Sequence, residues 1–426
     1  MVRSTAFIAA LLAASAAASA ADPQPYEKTI KVGQDDPKPA PVSDVDIAYG
    51  GYVKLDALMS VYSDGDVATP GGLRDYYAPN SIPVTSNAAE NSYSMFDMHA
   101  KETRLYFKID AHVPDNKLGG YLEMDFISNP GSGTEVVTNA YNPALRRAFI
   151  TYNNFLFGQD WSTFQGTLAF PDSLDFIRAP SEGTVFSRQP LVRYTLPAFL
   201  GGDWQFALEN TETTVRPKAG TVAGATPVTS TFVTGDGQIP DLVVRYNWKA
   251  SFGEIDAAVI GRQLRADLAP TGGDAPNNTV SGTAEGYGVS IAGKLNSFGK
   301  DDVRFMVTGG DGIGRYVALA AAPDAVVDGN NELETVKEVA GYVAYRHPWN
   351  ERWRSNLMVS TLQIDNNTRL MGTGVTQSIA SGRINVLYSP VEKLTFGAEF
   401  THATRKLENG NDGQLDRVQL SAMYAY

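Results

Sequence analysis

The stretch V-D-I-A-Y-G-G-Y-V-K-L-D-A-L-M-S-V-Y, Val45–Tyr62, alternates apolar and polar side chains along most of its length. One face carries Val53 and Leu55, and the opposite face carries Lys54 and Asp56. A period of two places successive side chains on opposite faces of a strand, whereas a helix would scatter these charges around its circumference. The stretch therefore predicts a β-strand with one apolar face and one polar face.

The same alternation recurs in fifteen later segments, most of them about ten residues long. They are residues 103–113, 118–127, 145–152, 155–164, 187–196, 204–210, 241–248, 254–264, 285–295, 303–310, 338–346, 353–361, 383–389, 394–401 and 415–426. A tilted strand of about nine to eleven residues crosses a bilayer, and only a closed barrel does so without unsatisfied backbone groups. The pattern predicts an all-β fold, a transmembrane antiparallel β-barrel of about sixteen strands.

The connections between these segments alternate between short and long. The short ones are rich in Pro, Asn, Gly or Asp and cover 114–117, 153–154, 197–203, 249–253, 296–302, 347–352 and 390–393. The long ones include 63–91, 211–240, 265–284, 311–337 and 363–381. Bacterial barrels have short periplasmic turns and long external loops. With both termini on the short-turn side, the strand count must be even, which agrees with sixteen.

The N-terminus has the features of a secretory signal. Arg3 precedes an uncharged, Ala- and Leu-rich run over residues 6–18, followed by small residues typical of a cleavage site. A membrane anchor is the alternative, but the run is shorter than the roughly 20 residues that a span requires. We predict a signal peptide at 1–20, a flexible periplasmic segment at 21–44 and a single barrel domain at 45–426.

Composition excludes several classes of protein. The chain has no Cys, which excludes a disulfide framework and any thiolate site. Its net charge of -12 argues against a general nucleic-acid binder. A mean hydropathy of -0.20 excludes a helical membrane protein, whereas a barrel conceals its apolar residues in the alternation.

No cofactor or metal is predicted. Clusters of Asp, Asn and Gly at 409–416, 63–66 and 309–312 have oxygen ligands that could bind a divalent cation. Turn chemistry accounts for the same residues without a metal, and we favour that explanation.

The direction in which charged residues point follows from the cost of placing them in lipid. An Arg or Lys on the lipid face at mid-depth costs about 2 to 4 kcal/mol, so the charged face of each strand should line the lumen. The arginines assigned to the lumen are Arg104, Arg147, Arg193, Arg245, Arg262, Arg304, Arg346, Arg354 and Arg383. The carboxylates assigned to it are Asp56, Asp110, Glu123, Asp125, Glu209, Asp256 and Glu399.

Arginine greatly outnumbers lysine among these lumen positions. Guanidinium groups bind carboxylates and phosphates in a bidentate manner and stay charged at physiological pH, so a locally basic wall would favour anionic solutes. The alternative is that the arginines form salt-bridged ladders that only brace the wall.

One long connection, residues 165–186, differs from the others in composition. It combines apolar side chains such as Leu174 and Phe176 with the carboxylates Asp172, Asp175 and Glu182. A loop that folds back into a barrel needs both kinds of residue. We predict that this segment narrows the lumen and places its three carboxylates opposite the arginine wall, creating a transverse field. The alternative is an external loop that packs on its neighbours.

Two heptapeptides resemble a known family. The motifs G-Q-D-W-S-T-F at 158–164 and R-Q-P-L-V-R-Y at 188–194 are similar to those of the DcaP-like trimeric outer-membrane porins. Shorter pieces at 51–56 and 310–316 are similar as well. The resemblance spans most of the chain that follows the signal sequence.

The resemblance implies a sixteen-stranded barrel in the outer membrane of a Gram-negative bacterium, surrounded by its lipids. It also implies a homotrimer and passive uptake of small anions such as dicarboxylates. By the same resemblance, Arg193 and the arginines near the 165–186 segment, Arg178 and Arg188, belong to the solute path. Such porins may carry a helical periplasmic extension, but five prolines between residues 23 and 41 exclude a long continuous helix here.

Three other classes compete with a porin. A barrel-type lipase or protease would need a catalytic base, but the four histidines, His99, His112, His347 and His402, are not accompanied by a G-x-S-x-G motif. We therefore predict that the protein is not an enzyme. An energy-coupled transporter needs more strands and a folded plug domain before the barrel. A soluble β-rich binding protein would carry charges on both faces of its edge strands.

Overall fold

The structure is a computed structural model that describes residues 45–67, 74–85, 92–128, 137–217, 231–268, 280–328, 330 and 332–426. The predicted signal peptide and periplasmic segment lie outside these residues. Residues 42–426 form one compact unit. Within the described residues, no helix has the length and apolar character needed to cross a bilayer.

Almost all regular structure is β-strand. In chain order the strands are β1 (Val45–Tyr62), β2 (Tyr93–His99), β3 (Arg104–Val113), β4 (Asn116–Asp125), β5 (Ala144–Tyr152), β6 (Phe155–Trp161), β7 (Arg188–Phe199), β8 (Gly202–Glu209), β9 (Thr213–Arg216), β10 (Phe232–Thr234), β11 (Asp241–Ala250), β12 (Gly253–Leu268), β13 (Val280–Asn296), β14 (Asp302–Asp311), β15 (Ala325–Val327), β16 (Leu333–Thr335), β17 (Lys337–Pro348), β18 (Trp353–Asp365), β19 (Thr376–Val391), β20 (Leu394–Leu407) and β21 (Asp412–Ala425). One short helix, α1 (Thr368–Met371), follows β18.

The barrel is closed and antiparallel. Each barrel strand pairs with the next one along the chain, and β21 returns to β1 with Tyr52 opposite Ala425 and Tyr62 opposite Leu415. Strands β2 and β3 pair with the two halves of β1, so together they form one interrupted strand. Counted this way the barrel has sixteen strands, which confirms the predicted fold and strand number.

Each of the sixteen predicted segments corresponds to a barrel strand, and the bounds of β1 coincide with the predicted ones. Strand β2 was not predicted, because its apolar residues face both ways: Met95 is buried, while Phe96 and Met98 are exposed. Short turns follow the predicted chemistry. Asp115 and Asn153 adopt φ values of 60° and 52°, in the left-handed region that Asp and Asn tolerate better than other side chains.

Two of the predicted external loops contain a second, smaller sheet. Strands β9 and β10 come from the 211–240 loop, and β15 and β16 come from the 311–337 loop. They pair in the order β10-β9-β15-β16, with β9 and β15 parallel. Strands of three or four residues are too short to show a period of two, so the sequence pattern indicated only loops in these two connections.

The two faces of the wall differ in exposure as the alternation requires. In β1, Val53 and Leu55 are exposed on the outer face, whereas Lys54 and Asp56 are buried on the inner face. Lys54 is buried because the connection between β6 and β7 packs against it, as described below. Aromatic side chains such as Trp353 and Tyr424 are exposed near the short turns, where an aromatic girdle lies in bacterial barrels.

Candidate functional site

Residues 165–186, hereafter the inner loop, connect β6 to β7 but contact strands on the far side of the barrel. The carbonyl oxygen of Leu174 accepts hydrogen bonds from Lys54 Nζ of β1 at 2.6 Å and from Gln419 Nε2 of β21 at 3.0 Å. The backbone N–H of Leu174 donates to Glu399 Oε2 of β20 at 3.0 Å. These contacts place the inner loop across the interior of the barrel.

Asp172 joins the inner loop to the wall through both its side chain and its backbone. Its Oδ2 atom accepts hydrogen bonds from Nε of Arg346 and Nε of Arg354, each at 3.1 Å. Its carbonyl oxygen accepts from Asn385 Nδ2 at 2.8 Å. Burial opposes ionisation of this carboxyl, but Arg354, Arg304 and Arg346 outweigh it and hold the pKa of Asp172 below its usual value. Asp172 is therefore an ionised tether between the inner loop and the wall.

The other two carboxylates of the inner loop are enclosed. Asp175 Oδ2 accepts a hydrogen bond from the Tyr77 backbone at 2.8 Å, and Glu182 accepts one from the Ser381 hydroxyl. Both side chains are buried. In this structure Asp175 and Glu182 are enclosed between the inner loop and the wall, so neither carboxylate lies on an open solute path.

The first external loop also enters the barrel, which the sequence analysis did not predict. Ser181 Oγ of the inner loop donates to the Tyr77 carbonyl at 2.9 Å, and the guanidinium of Arg383 lies 4.8 Å from the centre of the Tyr77 ring. Tyr77 and Ile82 are fully buried. The adjacent tyrosines at 76 and 77, together with Val67 and Ile82 of the same segment, are the apolar residues in the sequence that could have indicated this packing.

Two predicted pore-lining arginines have no accessible side-chain surface. Arg262 donates from Nε to Asp241 at 3.0 Å and from Nη1 to Asp324 at 2.8 Å, beneath the small external sheet. Arg383 lies under Tyr77, with Glu399 at 3.9 Å. The assignment of Arg262 and Arg383 to the wall of the solute path is corrected, since a covered guanidinium does not meet a solute in this conformation.

A second group of predicted arginines faces the lumen but is ion-paired. Arg104 lies 3.2 Å from Asp125, and Arg147 and Arg193 lie 2.6 and 2.9 Å from Asp160. Arg346 lies 3.1 Å from Asp172, as described above. The charges of this group are largely balanced locally, in agreement with the alternative that such arginines brace the wall.

Strict alternation missed one arginine of the lumen. Pairing between β4 and β5 breaks its register between Glu123 and Met124, and this bulge lets Arg146 project inward beside Arg147. Arg146 donates to Glu123 at 2.7 Å and to Asp125 at 2.5 Å. A period of two assigns neighbouring residues to opposite faces, so the assignment of Arg147 to the lumen left no inward position for Arg146.

A third group carries positive charge without an ion pair. In the part of the chain that the structure describes, Arg178, Arg188 and Arg245 have no carboxylate oxygen within 4.0 Å. The guanidinium of Arg188 lies 4.9 Å from the Trp161 ring, and that of Arg178, which is exposed, lies 5.8 Å from the Tyr52 ring.

The hydrogen bonds of Arg245 go to neutral groups. Its Nη1 atom donates to the Gln165 carbonyl at 2.8 Å, and its Nη2 atom donates to Gln205 at 2.5 Å. Within the described residues, Arg178, Arg188 and Arg245 are therefore the predicted lumen arginines that form no direct ion pair with a carboxylate.

The histidine rings are held by acidic or carbonyl groups. His347 Nδ1 lies 2.9 Å from Asp301, His402 Nδ1 lies 2.8 Å from Asp416, and His99 Nε2 lies 3.1 Å from the Asp75 carbonyl. Among the described residues, no group of three or more His, Asp or Glu is arranged to hold a metal ion.

Comparison with solved structures shows the same fold in known outer-membrane channels. The outer membrane channel DcaP of Acinetobacter baumannii matches with a TM-score of 0.72 and 22% identity, over 90% of this chain and 97% of that one. An anion-selective porin from Comamonas acidovorans matches with a TM-score of 0.54 and 10% identity, over 90% and 100%. OmpT of Vibrio cholerae in its trimer form matches with a TM-score of 0.51 and 9% identity, over 90% and 100%.

Among curated proteins, none matches the sequence significantly. The family model of the DcaP outer membrane protein matches residues 29–426, nearly the whole chain. Together with the closed barrel, this match establishes an outer-membrane porin located in the outer membrane of a Gram-negative bacterium. The chain belongs to the DcaP outer membrane protein family.

Proposed function

We propose that this porin is a water-filled channel for passive diffusion of small anions, dicarboxylates among them. The observation that supports this most directly is that, among the described residues, neither Arg178 nor Arg188 forms an ion pair within 4.0 Å. Arg178 lies on the inner loop and Arg188 opens β7 directly after that loop, so both lie where we propose that the inner loop narrows the lumen. A fixed positive charge at a constriction attracts anions and repels cations.

A second cationic cluster lies closer to the periplasmic turns. Arg304, Arg346 and Arg354 surround Asp172, and Asp302 contacts two of these arginines at 2.7 and 3.2 Å. Three guanidinium groups against two carboxylates leave one positive charge. The anion path proposed here therefore meets excess positive charge at two points, although the chain as a whole is acidic.

Planar-bilayer recording under a KCl gradient tests the proposal. The reversal potential of the native channel should show preference for chloride. Arg178→Gln and Arg188→Gln should each reduce this preference, and the double variant should reduce it further. Arg352→Gln is the matched control, because it removes one exposed positive charge from the short turn between β17 and β18. A native preference for potassium would contradict anion selectivity, and an absence of channels would contradict pore formation.

A barrel-type hydrolase is the alternative function. The porin family and fold favour a channel without catalysis. Screening the purified protein with ester and peptide substrates, alongside single His-to-Ala variants, distinguishes the two. Hydrolysis that is lost in one of those variants would favour the enzyme.

We also infer that the barrel assembles as a homotrimer. His402 of β20 and Asp416 of β21 form a 2.8 Å pair on the outer face of the wall, in line with the apolar Phe400 and Val418. Charged side chains that face lipid are costly, whereas a contact between subunits would shield them. OmpT, an outer membrane protein of Vibrio cholerae described in a trimer form, has the same fold. Light scattering of the detergent-solubilised protein should report the mass of three chains, and a monomer would contradict the inference.

A further inference from the structure

Three aromatic rings form a ladder on the inner face of the wall. Tyr106 of β3 and Tyr121 of β4 have ring centres 5.7 Å apart and planes inclined by 21°. Tyr121 and Phe149 of β5 have ring centres 5.3 Å apart and planes inclined by 20°. All three side chains are only partly buried. By contrast, Tyr342, an inner-face tyrosine whose hydroxyl donates to the inner-loop carbonyl of Ala169, is 2% exposed.

The position of the ladder is set by its neighbours. Gly50 of β1 stands opposite Tyr106, and a Cβ atom on Gly50 would lie 2.4 Å from the Tyr106 hydroxyl. The Tyr106 ring therefore packs against the backbone of Gly50, and a larger residue at that position of β1 would displace the ring. The hydroxyl of Tyr121 donates to Glu123 Oε2 at 2.9 Å, which fixes the middle ring.

The ladder begins at the arginines of the lumen. The guanidinium of Arg147 lies 4.6 Å from the Tyr121 ring centre and 5.3 Å from that of Phe149. The adjacent Arg146 shares the Trp161 ring with the unpaired Arg188, at 5.8 and 4.9 Å. Tyr121 and Phe149 lie two residues nearer the short turns than Glu123 and Arg147, whereas Tyr106 is in register with Glu123. A solute leaving the arginines on this side meets aromatic faces next.

We propose that Tyr106, Tyr121 and Phe149 form a stacking track for planar, ring-bearing carboxylates, of which benzoate is the simplest probe. The carboxylate contacts the arginines at the constriction, while the ring of the solute stacks on the ladder in the offset geometry that aromatic pairs prefer. This proposal depends on the anion path proposed above. The arginines would select solutes by negative charge, and the aromatic ladder would select among them for an aromatic ring.

Interruptions of the ionic current by single solutes test the track. Benzoate and cyclohexanecarboxylate have the same charge and similar size, but only benzoate has an aromatic face. In the native channel benzoate should interrupt the current for about two- to tenfold longer, the range expected for one or two aromatic contacts. Tyr106→Leu, Tyr121→Leu and Phe149→Leu should bring this ratio toward one.

Two controls separate the track from general damage. Phe107→Leu removes an exposed aromatic ring from the outer face of the same strand and should leave the ratio unchanged. Tyr121→Phe keeps the ring and should also retain the ratio. A native ratio of one, or a ratio that survives all three inner-face leucine variants, would overturn the track.

The reversal potential in KCl, measured on the same channels, distinguishes failure of the track from failure of the anion proposal. Preference for chloride without discrimination between the two carboxylates overturns the track alone. Preference for potassium overturns the proposed function, and the track with it.

Discussion

The carboxylate of Asp172 accepts a hydrogen bond from the guanidinium of Arg354 at 3.1 Å, joining the inner loop to a strand 182 residues further along the chain. The same oxygen accepts from Arg346, so one side chain both holds the loop and balances the charge of its neighbours. Loop position and lumen charge are therefore coupled at this residue.

Asp172→Asn should increase both conductance and anion preference. The amide cannot balance the surrounding arginines, so their positive charge becomes available to solutes, and the weaker tether allows the inner loop to move. Single-channel conductance and reversal potential measure the two effects. Asp267→Asn is the matched control, since it neutralises an exposed carboxylate at the external end of β12. Lower conductance in Asp172→Asn would contradict the tether.

The Asp172 tether should resist mild acid. Its pKa lies below the ordinary value of 3.8, so its contribution to stability is complete above that value and is lost only as pH falls through the lowered pKa. Conductance should hold steady from pH 7 to about pH 4.5 and rise below the ordinary pKa of an aspartate. The Asp172→Asn channel should lack this rise in conductance. If the conductance of the native channel changed near neutral pH, a group other than Asp172 would be responsible.

Gly166→Ala should displace the inner loop. A Cβ atom on Gly166 would lie 2.3 Å from the Cβ atom of Ala292 on β13, too close for either residue to keep its position. We expect a higher conductance and more frequent fluctuations between current levels, because the loop no longer packs against the wall. Gly382→Ala on β19, where the added methyl group meets nothing within 4 Å, should behave like the native channel. Identical recordings for both variants would show that the loop tolerates the displacement.

Arg262→Met should destabilise the barrel without changing its selectivity. The substitution leaves the carboxylates of Asp241 and Asp324 buried without their main partner, which costs about 3 to 5 kcal/mol for a buried ion pair. Urea titration in lipid vesicles should show the loss as a lower unfolding midpoint. The reversal potential in KCl should stay unchanged, since the guanidinium is covered. By contrast, Arg188→Gln should shift the reversal potential and leave the unfolding midpoint unchanged.

The strand positions, their number and the direction of most side chains were determined by the sequence alone. Alternation is a property of neighbouring residues, and the cost of charge in lipid decides which face is which, so Lys54 and Asp56 could be assigned inward without any knowledge of their partners. The alternation of short and long connections can likewise be recognised from the sequence without any knowledge of tertiary contacts. The same reasoning failed at Arg146, where a bulge that depends on the partner strand reverses the face.

Only the tertiary structure decided which arginines carry free charge. Arg262 is paired with Asp324, 62 residues away on the folded external loop, whereas Arg188 contacts aromatic rings and, among the described residues, has no carboxylate oxygen within 4.0 Å. The inner loop is held by Gln419, which contacts Leu174 across 245 residues of chain. Pairings of this kind depend on strand register and on where two loops dock inside the closed barrel, and neither is encoded in any local pattern of the sequence.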